Sequence, residues 1–308
     1  MIVVCGEALM DVFATGDTAT GVALDARIGG SPLNVAIGLA RLAQPVAFFG
    51  AVSTGFLGER LWRALHDEGV DTTSALRLDA PTTLGLVGLN AAGVPSYGFY
   101  GSGCADRLLP LSALAGVPAS ARAFQFGSYA MVVEPVATTQ RALVEREHRH
   151  RLIAYDPNVR LNVEPDLQRW RDTLAWMLAR THLLKLSEED LALLFPGVTA
   201  AALAADWLAG GVGLVVVTRG EQGAEAWAAG HHVRVPPVPV AVVDTVGAGD
   251  TFQAALLTWL AENNRLAPDG VRHWTADALM AALVFASRAA AITCSRRGAD
   301  LPRRAELG

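Results

Sequence analysis

The sequence predicts an α/β domain: a mostly parallel β-sheet covered by helices, with a small antiparallel β-sheet inserted as a lid. Short apolar runs alternate with longer helical stretches along the chain, the order expected of a parallel sheet built from crossovers. Several of these runs are apolar at consecutive positions, as strands buried on both faces are. Two segments, 10–28 and 82–101, break the rhythm, alternating and turning as antiparallel strands do. At 308 residues the chain is long enough for one large core, and it reads as a single domain over 1–308.

Element by element, the strand runs are 2–5, 46–50, 123–127, 152–155, 182–186 and 214–218. Helical patterns cover 33–42, 57–68, 135–150, 166–179, 187–194, 200–208 and 253–260. Asn90-Ala91-Ala92-Gly93 supplies a hairpin turn between lid strands at 84–89 and 95–100. Short strands separated by Pro236-Pro237 and Pro239 are expected over 224–243. The apolar stretch at 276–293 is interrupted by Arg288, so a buried helix is expected there rather than a membrane span.

A net charge of -5 argues against a nucleic-acid or anionic-membrane surface. Arg146-Glu147-His148-Arg149-His150-Arg151 is mixed in sign and reads as a solvated helix end, and His231-His232 as surface residues. The N-terminus enters an apolar run with no basic region before it, which reads as a first strand and not a signal peptide. The three cysteines, Cys5, Cys104 and Cys294, have neither metal nor disulfide spacing, which points to a reducing, cytoplasmic setting. The chain holds one lysine, Lys185, in the apolar run Leu183-Leu184-Lys185-Leu186. A Walker loop or a protein-kinase strand lysine is therefore excluded, and no Gly-x-Gly-x-x-Gly follows the first strand as a dinucleotide enzyme would need. Nucleotide phosphates must be held by backbone amides, arginine and metal.

The run Asp244-Thr245-Val246-Gly247-Ala248-Gly249-Asp250-Thr251-Phe252 leads into an Ala/Leu-rich helix. Amides at a helix start are unpaired and sit at the positive end of the dipole, so they bind anions. A carboxylate beside such a cradle repels the anion, but serves well as a base for whatever attacks it. That pairing points to phosphoryl transfer, with Asp250 as the base. Ile28-Gly29-Gly30-Ser31-Pro32-Leu33-Asn34 is either a tight turn into a helix or a place where a polyol meets the backbone while Asn34 binds hydroxyls. Asp11, in Gly6-Glu7-Ala8-Leu9-Met10-Asp11, is a strand-end residue that also fits a turn or cap. Tyr155-Asp156-Pro157-Asn158-Val159-Arg160 ends a buried strand where α/β ligands bind; Arg160 either clamps a phosphoryl group or makes a surface ion pair. Thr218, Gly220 and Gly223 follow another strand and suit a nucleotide or a plain turn. Ser187-Glu188-Glu189-Asp190 is a helix cap whose acids could also organise Mg²⁺.

In chain order these segments resemble the ribokinase-like (PfkB) carbohydrate kinases over essentially the full length, nearest to bacterial fructokinases. The Gly29-Gly30…Asn34 and Asp244…Phe252 segments look like that family's two signatures. The nearer likeness rests on Gly6 to Asp11, Phe126-Gly127-Ser128-Tyr129, Tyr155 to Arg160 and Lys185 to Asp190. The resemblance implies a three-layer α/β/α fold and ATP- and Mg²⁺-dependent phosphorylation of a sugar's primary hydroxyl. It implies Asp250 as base, an anion hole of amides over Gly247, Ala248, Gly249 and Asp250, and Arg160 near the transferred phosphate. Asp11, Gly29, Gly30, Asn34 and Phe99 (or Tyr97) would meet the sugar. Lys185, Ser187, Thr218, Gly220, Gly223 and Gly298 would line the ATP site, with adenine toward 289–298. Asp190 would serve Mg²⁺, a monovalent cation such as K⁺ would sit near Asp244, and two copies would meet through the lid. Two departures stand out: Ser187 and Asp190 replace the usual Asn and Glu of the magnesium motif, and Gly101 stands where a basic residue often follows the lid aromatics. The second favours a neutral hexose over a sugar acid, and fructose is the expected substrate. 2-keto-3-deoxygluconate, ribose, tagatose, a nucleoside, or a non-catalytic sugar-binding role are the alternatives.

Overall fold

The computed structural model describes the backbone of residues 1–89 and 95–308, and the side chains of residues 1–88 and 98–308. The strands begin with β1 (Ile2–Cys5), β2 (Leu9–Thr18), β3 (Gly21–Gly29), β4 (Val46–Phe49) and β5 (Ala51–Ser53). They continue with β6 (Leu76–Leu78), β7 (Leu84–Leu89), β8 (Pro95–Tyr100), β9 (Ala123–Gly127) and β10 (Leu152–Asp156). The last four are β11 (Leu183–Ser187), β12 (Leu214–Thr218), β13 (Ala224–Ala228) and β14 (His231–Val235). The α-helices are α1 (Ser31–Arg41), α2 (Phe56–Asp67), α3 (Val136–Glu147) and α4 (Leu167–Leu178). They are followed by α5 (Glu188–Leu194), α6 (Ala200–Ala209), α7 (Ala248–Glu262) and α8 (Ala276–Cys294).

Eight strands form the main sheet in the order β14-β13-β12-β11-β10-β9-β1-β4. All pair in parallel except the two at the β14 end, which join as antiparallel hairpins. Period-two alternation sends successive side chains to opposite faces, and β1 does so without exception. Ile2 and Val4 enter a core beneath α1, α2, α7 and α8, while Val3 and Cys5 enter the other beneath α3, α4, α5 and α6. Edge strand β14 loses this double burial and alternates instead, burying Val233 and Val235 while His232 and Arg234 are exposed. The stretch after it, 236–243, forms a Pro-rich loop and not the strands expected there. Helix α8 buries Leu279, Ala282, Leu283, Ala286 and Ala289 in the core, packing on α7 and the sheet.

The lid is a four-stranded sheet, β3-β2-β7-β8, whose outer pairs are antiparallel and whose central pair, β2 with β7, runs parallel. That parallel pair arises because β2 and β7 both leave the body in the same direction. The turn expected at Asn90 to Gly93 lies outside the described residues, as does the side chain of Tyr97. Parallel strands that cross over on helices place their C-terminal ends along one edge. The ends of β1, β9, β10, β11 and β12 deliver Glu7, Ser128, Asn158, Ser187 and Thr218 to a single cleft there.

Candidate active site

A cleft of about 1190 Å³ runs along this edge, between the lid and the N-terminus of α7. Helix α7 starts abruptly. Its N-cap Gly247 has φ 77°, a left-handed conformation that disfavours side chains. A Cβ there would also come within 2.7 Å of the Ala299 Cβ. The amide of Ala248, expected in the anion hole, instead donates to Thr245 O at 3.2 Å. The amides of Gly249 and Asp250 have no acceptor among the described residues, so they form the open part of the cradle. Beside them lies a cation: a Cβ at Gly249 would stand 3.2 Å from Lys185 Nζ.

The Lys185 ammonium donates to Asp156 Oδ2 at 2.7 Å, and both side chains are buried. Burial pulls its pKa down, but Asp156, Asp190 and Asp250 outweigh that and hold it above the ordinary lysine value. The charge is thus retained deep in the sheet, facing the α7 amides.

Asp250 sits in the first turn of α7 and joins two helices. Ser31 Oγ donates to its Oδ1 at 2.6 Å and Asn34 Nδ2 to its Oδ2 at 2.8 Å. Both donors come from the start of α1, whose N-cap Gly30 has φ 104° and passes too close to the Glu7 carbonyl to carry a side chain. Ser31 stood in the segment read from the sequence but had no role there; its link to Asp250 spans 219 positions and is visible only in the fold. Asp11 faces the same corner, and burial raises its pKa to about 6, with Arg160 opposing and Asp250 reinforcing. Glu7, fully buried at the floor, is raised to about 8 chiefly by burial, which favours its protonated form.

Most of the residues singled out from the sequence line this one cleft: Asp11, Gly30, Asn34, Phe99, Arg160, Lys185, Ser187, Asp190, Thr218, Gly220, Gly223 and Gly247 to Asp250. Arg160 is exposed, and its Nη1 donates to the carbonyl of Val159. Three residues do not line it. Gly29 acts indirectly, because a Cβ there would run into the Asp11 carboxylate. Asp244 and Gly298 line an adjoining cavity of about 440 Å³ that shares Asp11 and Asn34 with the cleft. The Asp244 carboxylate accepts from the amides of Val246 and Gly298, so it ties two loops together.

Asp190 lies in the cleft wall with its carboxylate already engaged. Its Oδ1 accepts from Val159 N at 2.9 Å, fastening the loop that carries Asn158 and Arg160, and its Oδ2 accepts from Ser187 N as half of a capping box. Among the described residues no three His, Cys, Asp or Glu side chains gather into a metal cage. The far end of the cleft is apolar, lined by Pro237, Val238, Pro239, Val240 and Val242 from the loop and Ala290, Ala291 and Cys294 from α8. The sequence pointed to the α8 side of this wall but not to the loop.

Gly101 itself carries no charge, but a guanidinium from elsewhere in the chain lies beside it. The space facing Gly101 is filled by the guanidinium of Arg107, whose atoms would meet a Cβ at 2.5–2.7 Å. Arg107 does not itself line the cleft; it lies behind Phe99 and Tyr129, which do.

Residues 1–305 match the family described as pfkB family carbohydrate kinase. A fructokinase of Rhizobium leguminosarum bv. trifolii is 36% identical over 266 residues, which is 86% of this chain and 81% of that protein. The crystal structure of a Xylella fastidiosa fructokinase with bound ATP superposes with TM-score 0.86 at 26% identity, over 99% of this chain and 96% of that one. A Vibrio cholerae O395 fructokinase with fructose, ADP and calcium ion bound gives 0.80 at 25% identity, over 99% and 97%. With an anion cradle, a lysine and a side-chain-held carboxylate in one cleft, and a family match across nearly every residue, this chain belongs to the pfkB family of carbohydrate kinases.

Proposed function

We propose that the chain is an ATP-dependent fructokinase in which Asp250 takes the proton from a primary hydroxyl of fructose as that oxygen attacks the γ-phosphorus in line. The observation that carries this reading is the placement of Asp250. It stands in the first turn of a helix whose opening amides are free to bind an anion, with both oxygens aimed by Ser31 and Asn34. A sugar hydroxyl entering between Asp11, Asn34 and Gly30 would exchange these internal bonds for its own. The amides of Gly249 and Asp250, with Lys185 and Arg160, would take up the charge on the phosphoryl oxygens. Thr218, Gly220 and Gly223 would follow the nucleotide, and adenine would rest on the apolar wall at Ala290 and Val240.

The residues present suit a phosphate-borne Mg²⁺ and not a protein cage. The ion would ride on the triphosphate and water, with Ser187 and Glu189 at the cleft edge as its protein side. Bound there it supplies neutralisation of the phosphate charge. A monovalent cation near Asp244 would share that carboxylate with two amides. The lid would exclude water once the sugar is seated, and its outer strand β3 exposes Val22 and Leu24, where a second copy of the chain would meet it. Fructose is favoured because relatives so named match 86% and 100% of the chain, and because Arg107 stands behind aromatic rings and does not line the cleft where a sugar carboxylate would need donors. The test is a coupled ADP-release assay with fructose, 2-keto-3-deoxygluconate, ribose, tagatose and a nucleoside. Fructose should rank first in kcat/KM; another compound ranking well above it changes the substrate, and no ADP release with any of them removes the kinase reading.

A further inference from the structure

Arg107 follows the lid in the chain, in a single helical turn at Ala105–Arg107. It is half-buried, and no carboxylate pairs with it among the described residues. Its Nε is buried without a hydrogen-bond partner. Its company is aromatic: the guanidinium carbon lies 5.2 Å from the centroid of Phe99 and 5.5 Å from that of Tyr129. The two rings meet each other edge to face at 5.4 Å and 77°. Phe99 belongs to lid strand β8, whereas Tyr129 is a fully buried residue of the body. Tyr129 is anchored in turn, its hydroxyl donating to Asp106 Oδ2 at 2.8 Å, while Thr83 Oγ1 donates to the other oxygen.

A guanidinium held partly out of water with no carboxylate bonded to it is stabilised by ring faces, and a planar one can address two rings at once. The position is also special. A side chain grown from Gly101 would enter this same volume, since the three atoms nearest to its Cβ all belong to Arg107. The backbone at Gly101 is open to any residue. One corner of the molecule can therefore be filled with positive charge from either of two positions, and this chain uses the second.

We propose that Arg107 is a positioning residue for the sugar: it clamps Phe99 of the lid to Tyr129 of the body and so sets the aromatic wall over the substrate. The proposal rests on the reading that the end of the cleft under the lid receives the sugar. Loosening the clamp lets the lid strands part from the body, so sugar affinity falls and water reaches the nucleotide, while the nucleotide end is untouched.

The experiment compares the wild type with Arg107→Ala, Arg107→Lys and the double variant Gly101→Arg/Arg107→Ala, using whichever sugar ranks first for the wild type. In Arg107→Ala the KM for sugar should rise about tenfold, as loss of contact with two rings implies. The KM for ATP should stay within about twofold, a split expected when only one substrate's contacts change. ADP release without sugar should grow relative to sugar-dependent turnover. Arg107→Lys keeps the charge but not the plane and should fall between. The double variant should recover most of the sugar KM, which a general loss of packing would not allow. Amide exchange over β7 and β8 should quicken in Arg107→Ala and stay unchanged over β10, a readout that needs no turnover. Unchanged sugar KM and unchanged lid exchange in Arg107→Ala would overturn the clamp, as would equal loss in both KM values with no recovery in the double variant. A wild type that phosphorylates no sugar strikes the kinase reading instead and leaves the exchange comparison to decide the clamp.

Discussion

Under the lid, the cleft is made by side chains: Asp250 is aimed by Ser31 and Asn34, Asp11 is held ionisable in a half-buried corner, and Arg107 braces the rings behind. At the other end it is made by backbone and small apolar groups, with Gly220 and Gly223 beside a Pro/Val loop and the alanines of α8. Directional hydrogen bonds fix the orientation of a polyol, and losing one leaves a desolvated partner behind. An adenine needs only a slot of the right thickness, which apolar contacts supply with little sensitivity to any one residue. Selectivity should therefore be concentrated under the lid and spread thinly over the nucleotide end. Between the two lies the buried pair of Lys185 and Asp156.

The sharpest way to break this contrast is Asp250→Asn. Turnover should fall by about 10²- to 10⁴-fold, as removal of a general base does, while sugar binding measured by calorimetry changes little. Turnover at the wild-type level would take the base role from Asp250. Next in size is Lys185→Met, which strands the Asp156 carboxylate in the core. Denaturant unfolding should show a loss of roughly 3–5 kcal/mol, the usual consequence of leaving one member of a buried pair. A loss below 1 kcal/mol would mean that water already reaches the pair.

A paired substitution then weighs the two ends directly. Asn34→Ala should raise the KM for sugar about tenfold and leave ATP alone, since a charged partner loses its donor. Val240→Ser should raise the KM for ATP only about twofold to threefold, in line with the small apolar area it withdraws. Equal effects would erase the distinction. The smallest expected effect is the pH dependence at Asp11, whose pKa rises from 3.8 to about 6 on folding. The unfolded chain gives up this proton at lower pH than the folded one, so stability declines as pH rises from about 4 to 6 and stays reduced above. Asp11→Asn should flatten that decline and melt roughly 2–4 °C higher at pH 7. In the wild type the KM for sugar should fall as pH rises through 6, because the ionised carboxylate is the better acceptor.

The Asp244 to Phe252 run declared itself in the sequence because its chemistry is local: glycines, a helix start and an acid on the first turn all lie within a few residues. The strand and helix runs were legible for the same reason, since burial on both faces writes itself into consecutive positions. The loop at 236–243 was misread because its valines resemble a strand while its prolines deny it ladder partners. The cap at Ser187 to Asp190 was legible because it is local, whereas the bond from Val159 N to Asp190, which occupies the other carboxylate oxygen, spans 31 positions and is visible only in the fold. Arg107, six positions on from Gly101, went unnoticed because only the path of the chain brings its guanidinium beside that glycine.

What the sequence determined by itself was the class of fold, the glycine-rich helix start and the carboxylate on its first turn, because periodicity and helix-end chemistry act over a few residues. The tertiary structure decided which side chains hold that carboxylate, which acids are buried, and what stands behind the lid's rings. Those outcomes depend on contacts between segments as far apart as Ser31 and Asp250, and on burial, which no local pattern records.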